Sequence, residues 1–197
     1  SKTGAAVTPY TALQGVLSVA CGRLSYTFGM TGPSYSIDTA CSSSLVSSHL
    51  ATKMVQSGET SSSASVGVQH FLIPEPLIVL MVSNMLAVDG RCKTLDQSAN
   101  GYVRAEACGV LEMRAADEEV GVAIVHGSAV NQDGRSSSLT APNGPSQQAV
   151  VRGSIECADV TLAQYEQHEM HGTGTALGDP IEVRAACAVL LQQPKVR

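Results

Sequence analysis

Two segments of the sequence combine residue types that can carry out acyl transfer. Residues 38–45 (DTACSSSL) place Cys41 among small residues, where an extended segment is followed by a helical pattern. Residues 171–182 (HGTGTALGDPIE) place His171 at the start of a loop rich in glycine and threonine. A thiol with a nearby imidazole is an acyl-transfer pair. The two segments therefore indicate a candidate enzyme that depends on Cys41 and His171.

The position of Cys41 at the predicted start of a helix favours a reactive thiolate. The unpaired N–H groups and the dipole of a helix N-terminus stabilise negative charge. The dipole contributes only about 0.3–1 kcal/mol at a surface, less than the roughly 1.36 kcal/mol that one pKa unit represents, so a nearby histidine must assist. The same N–H groups suit a tetrahedral oxyanion, and the small neighbours suit a turn that resembles a nucleophile elbow. The alternative is a buried structural cysteine beside a serine that caps the helix.

The loop after His171 favours the binding of a polar, flexible ligand. Its glycines allow a ligand to approach the backbone closely, and its threonine hydroxyls can hydrogen-bond a polar arm. The glycine spacing differs from that of a dinucleotide-binding loop and no Walker-type loop is present, which argues against nucleotide binding. The alternative for His171 is a structural loop histidine. That structural interpretation is favoured for the other histidines, which lack a glycine-rich context: His49, His70, His126 and His168.

The composition indicates a folded protein and limits its partners. The chain has 197 residues, 44% hydrophobic and 15% charged, which suits one domain or a piece of a larger one. Its 12 basic and 17 acidic side chains give a net charge of −5, and the basic residues are scattered. That pattern argues against nucleic acid or an anionic membrane as the main partner. No apolar run reaches the length of a membrane span.

The six cysteines show no pattern typical of a metal site. The sequence contains no Cys-x-x-Cys motif and no pair of histidines at ligand spacing, so we expect no metal. Reduced thiols are the simpler interpretation, and they favour a cytoplasmic location, with an organelle such as a plastid as the alternative. All cysteines apart from Cys41 are interpreted as core residues: Cys21, Cys92, Cys108, Cys157 and Cys187.

Hydrophobic periodicity and turn residues predict alternating helices and strands. The predicted helices lie at 8–23, 45–58, 76–84, 145–158 and 180–191. The predicted strands lie at 34–38, 64–68, 109–113 and 120–130, and in the segment 165–170 before His171. An acidic turn at 117–119 separates two of these strands. This alternation favours a layered α/β fold.

The two motif segments resemble the best-known signatures of β-ketoacyl synthase (ketosynthase) domains, specifically those of type I polyketide synthases. Further similar segments occur along nearly the whole chain, at 22–26, 32–34, 89–94, 101–104, 131–135 and 139–145. The resemblance implies a thiolase-like fold with α/β/α/β/α layers, incomplete here, in a protein that is usually homodimeric. Residues 1 to about 115 would be the end of the N-terminal half, and residues from about 120 to 197 the start of the C-terminal half.

The resemblance also implies a role for each site residue. Cys41 would accept an acyl chain as a thioester from an acyl carrier protein. His171 would help decarboxylate a malonyl-type extender on the carrier and stabilise the resulting oxyanion or enolate. Thr173 and Thr175 would contact the phosphopantetheine arm, which arrives on the carrier, so no cofactor is bound directly. The enzyme would be an acyltransferase of the 3-oxoacyl-[acyl-carrier-protein] synthase type.

The sequence departs from the family pattern at several points. The family has a second catalytic histidine in a Lys-x-Asn-x-Gly-His motif, which would lie beyond Arg197, so we expect the isolated chain to be inactive. Asn100, Ala105 and Ala107 stand where the family usually has Asp, Gly and Gly. Three alternatives stay open: a ketosynthase of a fatty-acid synthase, a diverged scaffold that only docks carriers or forms a dimer, and a cysteine hydrolase.

Overall fold

The structure is a computed structural model that describes residues 16–115, 121–138 and 140–191, together with Thr8 and Leu13. Helices and strands follow one another in the order α1 (Leu17–Phe28), α2 (Ser43–Gln56), β1 (Ser62–Gln69), α3 (Glu75–Val82), β2 (Ala107–Arg114), α4 (Gly144–Ala158) and α5 (Gly178–Leu190). A 3-10 turn at Ala40–Ser42 leads into α2, and a second one at Leu162–Gln164 follows α4.

Local sequence signals explain where the helices begin and end. α1 ends at Gly29, whose φ of 66° lies in the left-handed region and whose N–H donates to the carbonyl of Ser25. α4 begins after Asn143, whose side-chain oxygen accepts a hydrogen bond from the N–H of Ser146. Pro145 stands in the first turn of α4, where the missing N–H of proline costs nothing.

The two strands form one antiparallel pair that supports α2. Ser62 lies opposite Arg114, and Gln69 lies opposite Ala107. α2 packs against both strands, and α4 packs against α5. The sheet and α2 therefore position the residues around Cys41, while α5 positions the loop that begins at His171.

The apolar interior is built from small side chains. The buried hydrophobic residues are Ala51, Ala87, Ala185, Ala186 and Val189. Many large apolar side chains lie at the surface instead, for example Leu72 at 88% and Val88 at 99% exposure. Exposed apolar surface on this scale is typical of faces that contact other protein segments.

The structure confirms four predicted helices, since α2, α3, α4 and α5 cover most of 45–58, 76–84, 145–158 and 180–191. The first predicted helix, 8–23, is shifted: α1 runs from Leu17 to Phe28. α1 continues past the predicted end because Gly22 keeps a helical backbone, and the left-handed φ that ends the helix occurs at Gly29. The predicted start at Pro9 lies outside the described residues.

Two predicted strands are confirmed and three are wrong. The predictions at 64–68 and 109–113 correspond to β1 and β2. The segments 34–38, 121–130 and 165–170 form no strand, because a strand requires a hydrogen-bonded neighbour that a local pattern does not specify. The polar segment 165–170 is largely exposed, so water can solvate its polar side chains. Residue 120 and the acidic turn at 117–119 lie outside the described residues.

The interpretation of the cysteines as core residues is also wrong. Cys92, Cys108, Cys157 and Cys187 are exposed, and Cys21 is half-buried. Alanine and valine occupy the interior instead. All six cysteines lie in described ranges, and all six thiols are free. Within the ranges that the structure describes, no helix combines the length and the apolar character needed to cross a lipid bilayer.

Candidate active site

Cys41 lies in the tight turn that leads into α2, and it is exposed. The preceding residue, Ala40, has a φ of 56°, in the left-handed region that non-glycine residues rarely adopt. The Asp38 carboxylate accepts a hydrogen bond from the N–H of Ala40 at 3.1 Å, and Ser43 Oγ accepts one from the N–H of Thr39 at 2.9 Å. Backbone strain that the surroundings hold in place is common at functional sites. The turn therefore presents Cys41 to solvent at the N-terminus of α2.

β1 packs closely against the first turns of α2. A Cβ added at Gly67 would lie 2.6 Å from Ser44 Oγ, so any side chain there would force Ser44 to move. In the same contact, the buried Ser65 hydroxyl bonds to the hydroxyls of Ser47 at 2.9 Å and Ser48 at 3.1 Å. These contacts fix α2, and with it the turn that carries Cys41, on the sheet.

A carboxylate of α5 holds the backbone at His171. Glu182 Oε1 accepts a hydrogen bond from the N–H of His171 at 2.6 Å, and Oε2 accepts one from the N–H of Gly172 at 2.9 Å. Bonds between a carboxylate and N–H groups are charge-assisted and strong. His171 itself is exposed. Glu182 thus fixes the backbone and leaves the imidazole available to a ligand.

A second carboxylate lies buried beneath the loop. Asp179 is only 4% exposed. Its Oδ1 accepts hydrogen bonds from the N–H groups of Gly174 at 3.1 Å and Thr175 at 3.4 Å, and its Oδ2 accepts one from the N–H of Leu95 at 2.9 Å. Burial of a charge is tolerated when hydrogen bonds of this kind replace water. Asp179 therefore joins the loop to a segment much earlier in the chain.

Thr173 and Thr175 lie half-buried in this loop, with their hydroxyl oxygens 3.4 Å apart. Thr175 Oγ1 also accepts a hydrogen bond from the N–H of Gly178 at 3.2 Å, at the start of α5. The Thr173 hydroxyl makes no second bond within the described part of the chain. Thr173 is therefore the freer of the two threonines to bind a ligand.

The structure brings three of the four predicted site residues together in one loop: His171, Thr173 and Thr175. No hydrogen bond, ion pair or ring contact among the described residues joins Cys41 to that loop. The pairing of Cys41 with His171 across one pocket therefore stays a prediction.

α2 does contact the second half of the chain elsewhere. His49 Nδ1, in the middle of α2, lies 2.8 Å from Ser128 Oγ. His168 Nδ1 bonds to the Tyr165 hydroxyl at 2.8 Å. These contacts agree with structural roles for both histidines. Among the described residues, no group of three or more His, Cys, Asp or Glu side chains is arranged to hold a metal ion.

The supporting roles of Asp179 and Glu182 are not predicted from the sequence. The pattern places Asp179 at a helix start, where an acidic side chain complements the helix dipole. The pattern does not show that both carboxylates bond to the preceding glycine loop. Acidic residues in the first turns of a helix, directly after a glycine-rich loop, are the signal that could have identified them.

Comparison with known protein families assigns both halves of the chain. Residues 1–119 match the family model "Beta-ketoacyl synthase, N-terminal domain", and residues 122–197 match "Beta-ketoacyl synthase, C-terminal domain". Polyketide synthase GfsB of Streptomyces halstedii is 47% identical over 176 residues, which are 87% of this chain and 3% of that protein. A phenolphthiocerol/phthiocerol polyketide synthase of Mycobacterium tuberculosis is 47% identical over 169 residues, 83% of this chain and 8% of that protein. The chain thus spans a small part of the curated relatives.

Solved structures show the same relationship. The ketosynthase from module 6 of the bacillaene synthase of Bacillus subtilis 168 superposes with a TM-score of 0.86 at 36% identity, covering 92% of this chain and 33% of that one. The oxazolomycin ketosynthase domain OzmH KS7 of Streptomyces albus JA3453 gives a TM-score of 0.88 at 31% identity, covering 98% of this chain and 33% of that one. The fold is therefore the thiolase-like fold of ketosynthases, and the chain belongs to the β-ketoacyl synthase family.

Proposed function

We propose that this chain is the part of a polyketide synthase ketosynthase that carries the nucleophile and one catalytic histidine. The complete enzyme would extend an acyl chain by decarboxylative condensation. The observation that carries the proposal is the exposed thiol of Cys41, held on a strained turn at the N-terminus of α2 in a family of condensing enzymes. Similarity to polyketide synthases, at 47% identity, favours polyketide over fatty-acid synthesis.

The first step is acyl transfer to Cys41. The thiolate attacks the carbonyl of an acyl thioester on the carrier protein, and the new Cys41–acyl bond replaces the bond to the carrier thiol, which leaves and takes up a proton. The N–H groups at the start of α2 are suited to stabilise the thiolate and the tetrahedral oxyanion.

The second step is condensation. A malonyl-type extender loses CO2, and the electron pair left behind forms an enolate, whose oxygen accepts a hydrogen bond from the His171 ring. The enolate carbon then attacks the Cys41 thioester, so that a carbon–carbon bond forms and the Cys41 thiolate is released. The exposed ring of His171, on a backbone fixed by Glu182, suits a donor that must face developing negative charge.

The remaining parts of the proposal follow from the family. Thr173 and Thr175 contact the phosphopantetheine arm of the acyl carrier protein, which supplies both thioesters, and no other cofactor takes part. Residues 1 to about 115 and about 120 to 197 belong to the two halves of a ketosynthase that acts as a homodimer in the cytoplasm.

Labelling of the full-length protein with iodoacetamide tests the role of Cys41. We expect selective, pH-dependent labelling of Cys41 and complete loss of chain extension in Cys41→Ala. Cys187→Ala is the matched control, because Cys187 is also exposed but lies in α5. An inert Cys41 would favour a carrier-docking scaffold instead, and thioester hydrolysis without chain extension would favour a hydrolase.

The isolated chain should not decarboxylate a malonyl-loaded carrier. The second histidine motif of the family, Lys-x-Asn-x-Gly-His, does not occur in these 197 residues. Release of radiolabelled CO2 by the isolated chain would contradict this expectation.

A further inference from the structure

The loop that begins at His171 is held by one short segment of the first half, residues 93–101, which we call the clamp segment. Thr94 Oγ1 donates a hydrogen bond to the carbonyl of Gly172 at 2.5 Å. The N–H of Gly101 donates one to the carbonyl of Gly174 at 3.1 Å. A third bond runs from the N–H of Leu95 to the buried carboxylate beneath the loop. Only the bond from Thr94 uses a clamp-segment side chain, and its acceptor is the residue directly after His171.

The clamp segment touches the loop at two glycines with left-handed backbone. Gly172 has a φ of 52°, and a Cβ added there would lie 2.8 Å from Thr94 Cγ2. Gly174 has a φ of 74°, and a Cβ added there would lie 2.8 Å from the backbone nitrogen of Lys93. The Thr94 side chain therefore presents both its hydroxyl and its methyl group to Gly172.

Bonds within and beside the clamp segment fix it independently of the loop. Lys93 Nζ lies 2.8 Å from Asp89 Oδ2, and the hydrogen bond from Lys93 lowers the pKa of Asp89. Hydrogen bonds from the hydroxyl and the N–H of Ser98, both 2.7 Å long, lower the pKa of Asp96. Both carboxylates are therefore charged at neutral pH, which maintains the contacts of Asp89 with Lys93 and of Asp96 with Ser98. Thr94 lies in the sequence between these two pairs, which stabilise the backbone on either side of it.

Gly172 is consequently held at both of its backbone polar groups. Glu182 accepts from its N–H, and Thr94 donates to its carbonyl. These two hydrogen bonds hold the left-handed backbone conformation of Gly172. That conformation determines how the neighbouring His171 is oriented relative to the loop. We propose that Thr94 is a positioning residue for His171, an inference that rests on the proposed role of His171 in decarboxylation.

Two variants of the full-length protein separate the hydroxyl of Thr94 from its shape. Thr94→Val keeps the branched shape and removes the donor, whereas Thr94→Ser keeps the donor and removes the methyl group. With malonyl-loaded carrier protein as substrate, we expect Thr94→Val to lower kcat for CO2 release about tenfold with KM unchanged, and Thr94→Ser to stay within about twofold. Transfer of a labelled acetyl group from acetyl-pantetheine to Cys41 should be unchanged in both variants, because the acyl-transfer step proposed above gives the His171 ring no role and no hydrogen bond among the described residues joins His171 to Cys41.

The acetyl-transfer measurement distinguishes positioning from a structural role. An equal fall in acetyl transfer and CO2 release in Thr94→Val, or no fall in either, would overturn the inference. Failure of Thr94→Ser to restore CO2 release would overturn it as well. His171→Ala distinguishes the proposed role of His171 in decarboxylation from the proposed role of Thr94 in positioning it. If His171→Ala still releases CO2 normally, the proposed function fails and the inference about Thr94 fails with it. If His171→Ala is inactive while Thr94→Val is normal, the inference alone fails.

Discussion

Replacement of Gly174 by alanine tests whether the loop at His171 depends on close contact between the two halves. Gly174 has a φ of 74°. A Cβ there would lie 2.8 Å from the nitrogen of Lys93, 3.1 Å from its carbonyl carbon and 3.3 Å from the carbonyl oxygen of Gly101. All three neighbours are backbone atoms, so no side-chain rotation can relieve the overlap. The loop or the clamp segment must move.

Two terms contribute to the expected loss of stability. A non-glycine residue in the left-handed region costs about 1–2 kcal/mol. Overpacking against atoms that cannot rotate away adds about 1–3 kcal/mol, so Gly174→Ala should destabilise the complete ketosynthase domain by about 2–5 kcal/mol. Gly134→Ala is the matched control: its φ is 61° and no atom lies within 4 Å of the added Cβ, so only the backbone term applies.

The assay is urea unfolding of the complete domain, together with CO2 release from malonyl-loaded carrier. We expect a markedly lower unfolding midpoint and little CO2 release for Gly174→Ala, and a smaller shift with near-normal CO2 release for Gly134→Ala. Equal decreases of the unfolding midpoint and of CO2 release in the two variants would show that the contact between Gly174 and the clamp segment contributes nothing to stability or activity. That result would refute the close packing at Gly174.

Three further predictions concern residues around the two motifs. Thr173→Val should raise KM for the carrier-bound substrate without changing the free energy of unfolding. Thr175→Val should raise KM and also lower the free energy of unfolding by about 1 kcal/mol, because the N–H of Gly178 at the start of α5 loses its acceptor. Steady-state kinetics and urea unfolding measure the two effects, and equal stability of both variants would contradict the prediction. Ala40→Gly should raise the free energy of unfolding by about 1 kcal/mol, because glycine relieves the left-handed strain at a φ of 56°; a decrease in urea unfolding would contradict the strain. The hydrogen bond from Lys93 lowers the pKa of Asp89, so the stabilisation from this pair is present above the ordinary carboxyl pKa and is lost as pH falls through the lowered pKa. Lys93→Met should raise the pKa of Asp89 toward its ordinary range, as measured by NMR titration. An unchanged pKa would contradict the pairing.

Four of the helices and the two motif loops could be predicted because their signals are local. A helix repeats its apolar face every few residues, and its ends are marked by residues such as Pro145 in the first turn of α4 and Gly58, with a left-handed φ of 74°, after α2. The sharp turn at Cys41 likewise follows from the small residues around it. Each of these features depends on neighbours only a few positions away, which a single sequence displays directly.

The clamp segment could not be predicted, because its function lies in contacts between distant residues. The N–H of Leu95 donates a hydrogen bond to a carboxylate 84 positions away. Leu95 also has a left-handed φ of 59°, which the sequence does not indicate because the residue is not a glycine. The three wrong strand predictions have the same origin, since pairing depends on a remote neighbour. Periodicity describes which face of a segment is apolar, and it does not describe which other segment that face meets.

The departures from the family pattern fall where the structure can accept them. Ala105 and Ala107 replace glycines that the family usually has, and both are exposed. Asn100 replaces an aspartate, yet its Oδ1 still accepts a hydrogen bond from the clamp-segment lysine at 3.0 Å. By contrast, Gly101 and Gly174 remain glycine, and at each of them a Cβ would lie within 2.8 Å of backbone atoms. Close packing of the clamp segment therefore requires glycine at both positions, and a folded scaffold needs these contacts as much as a working enzyme does.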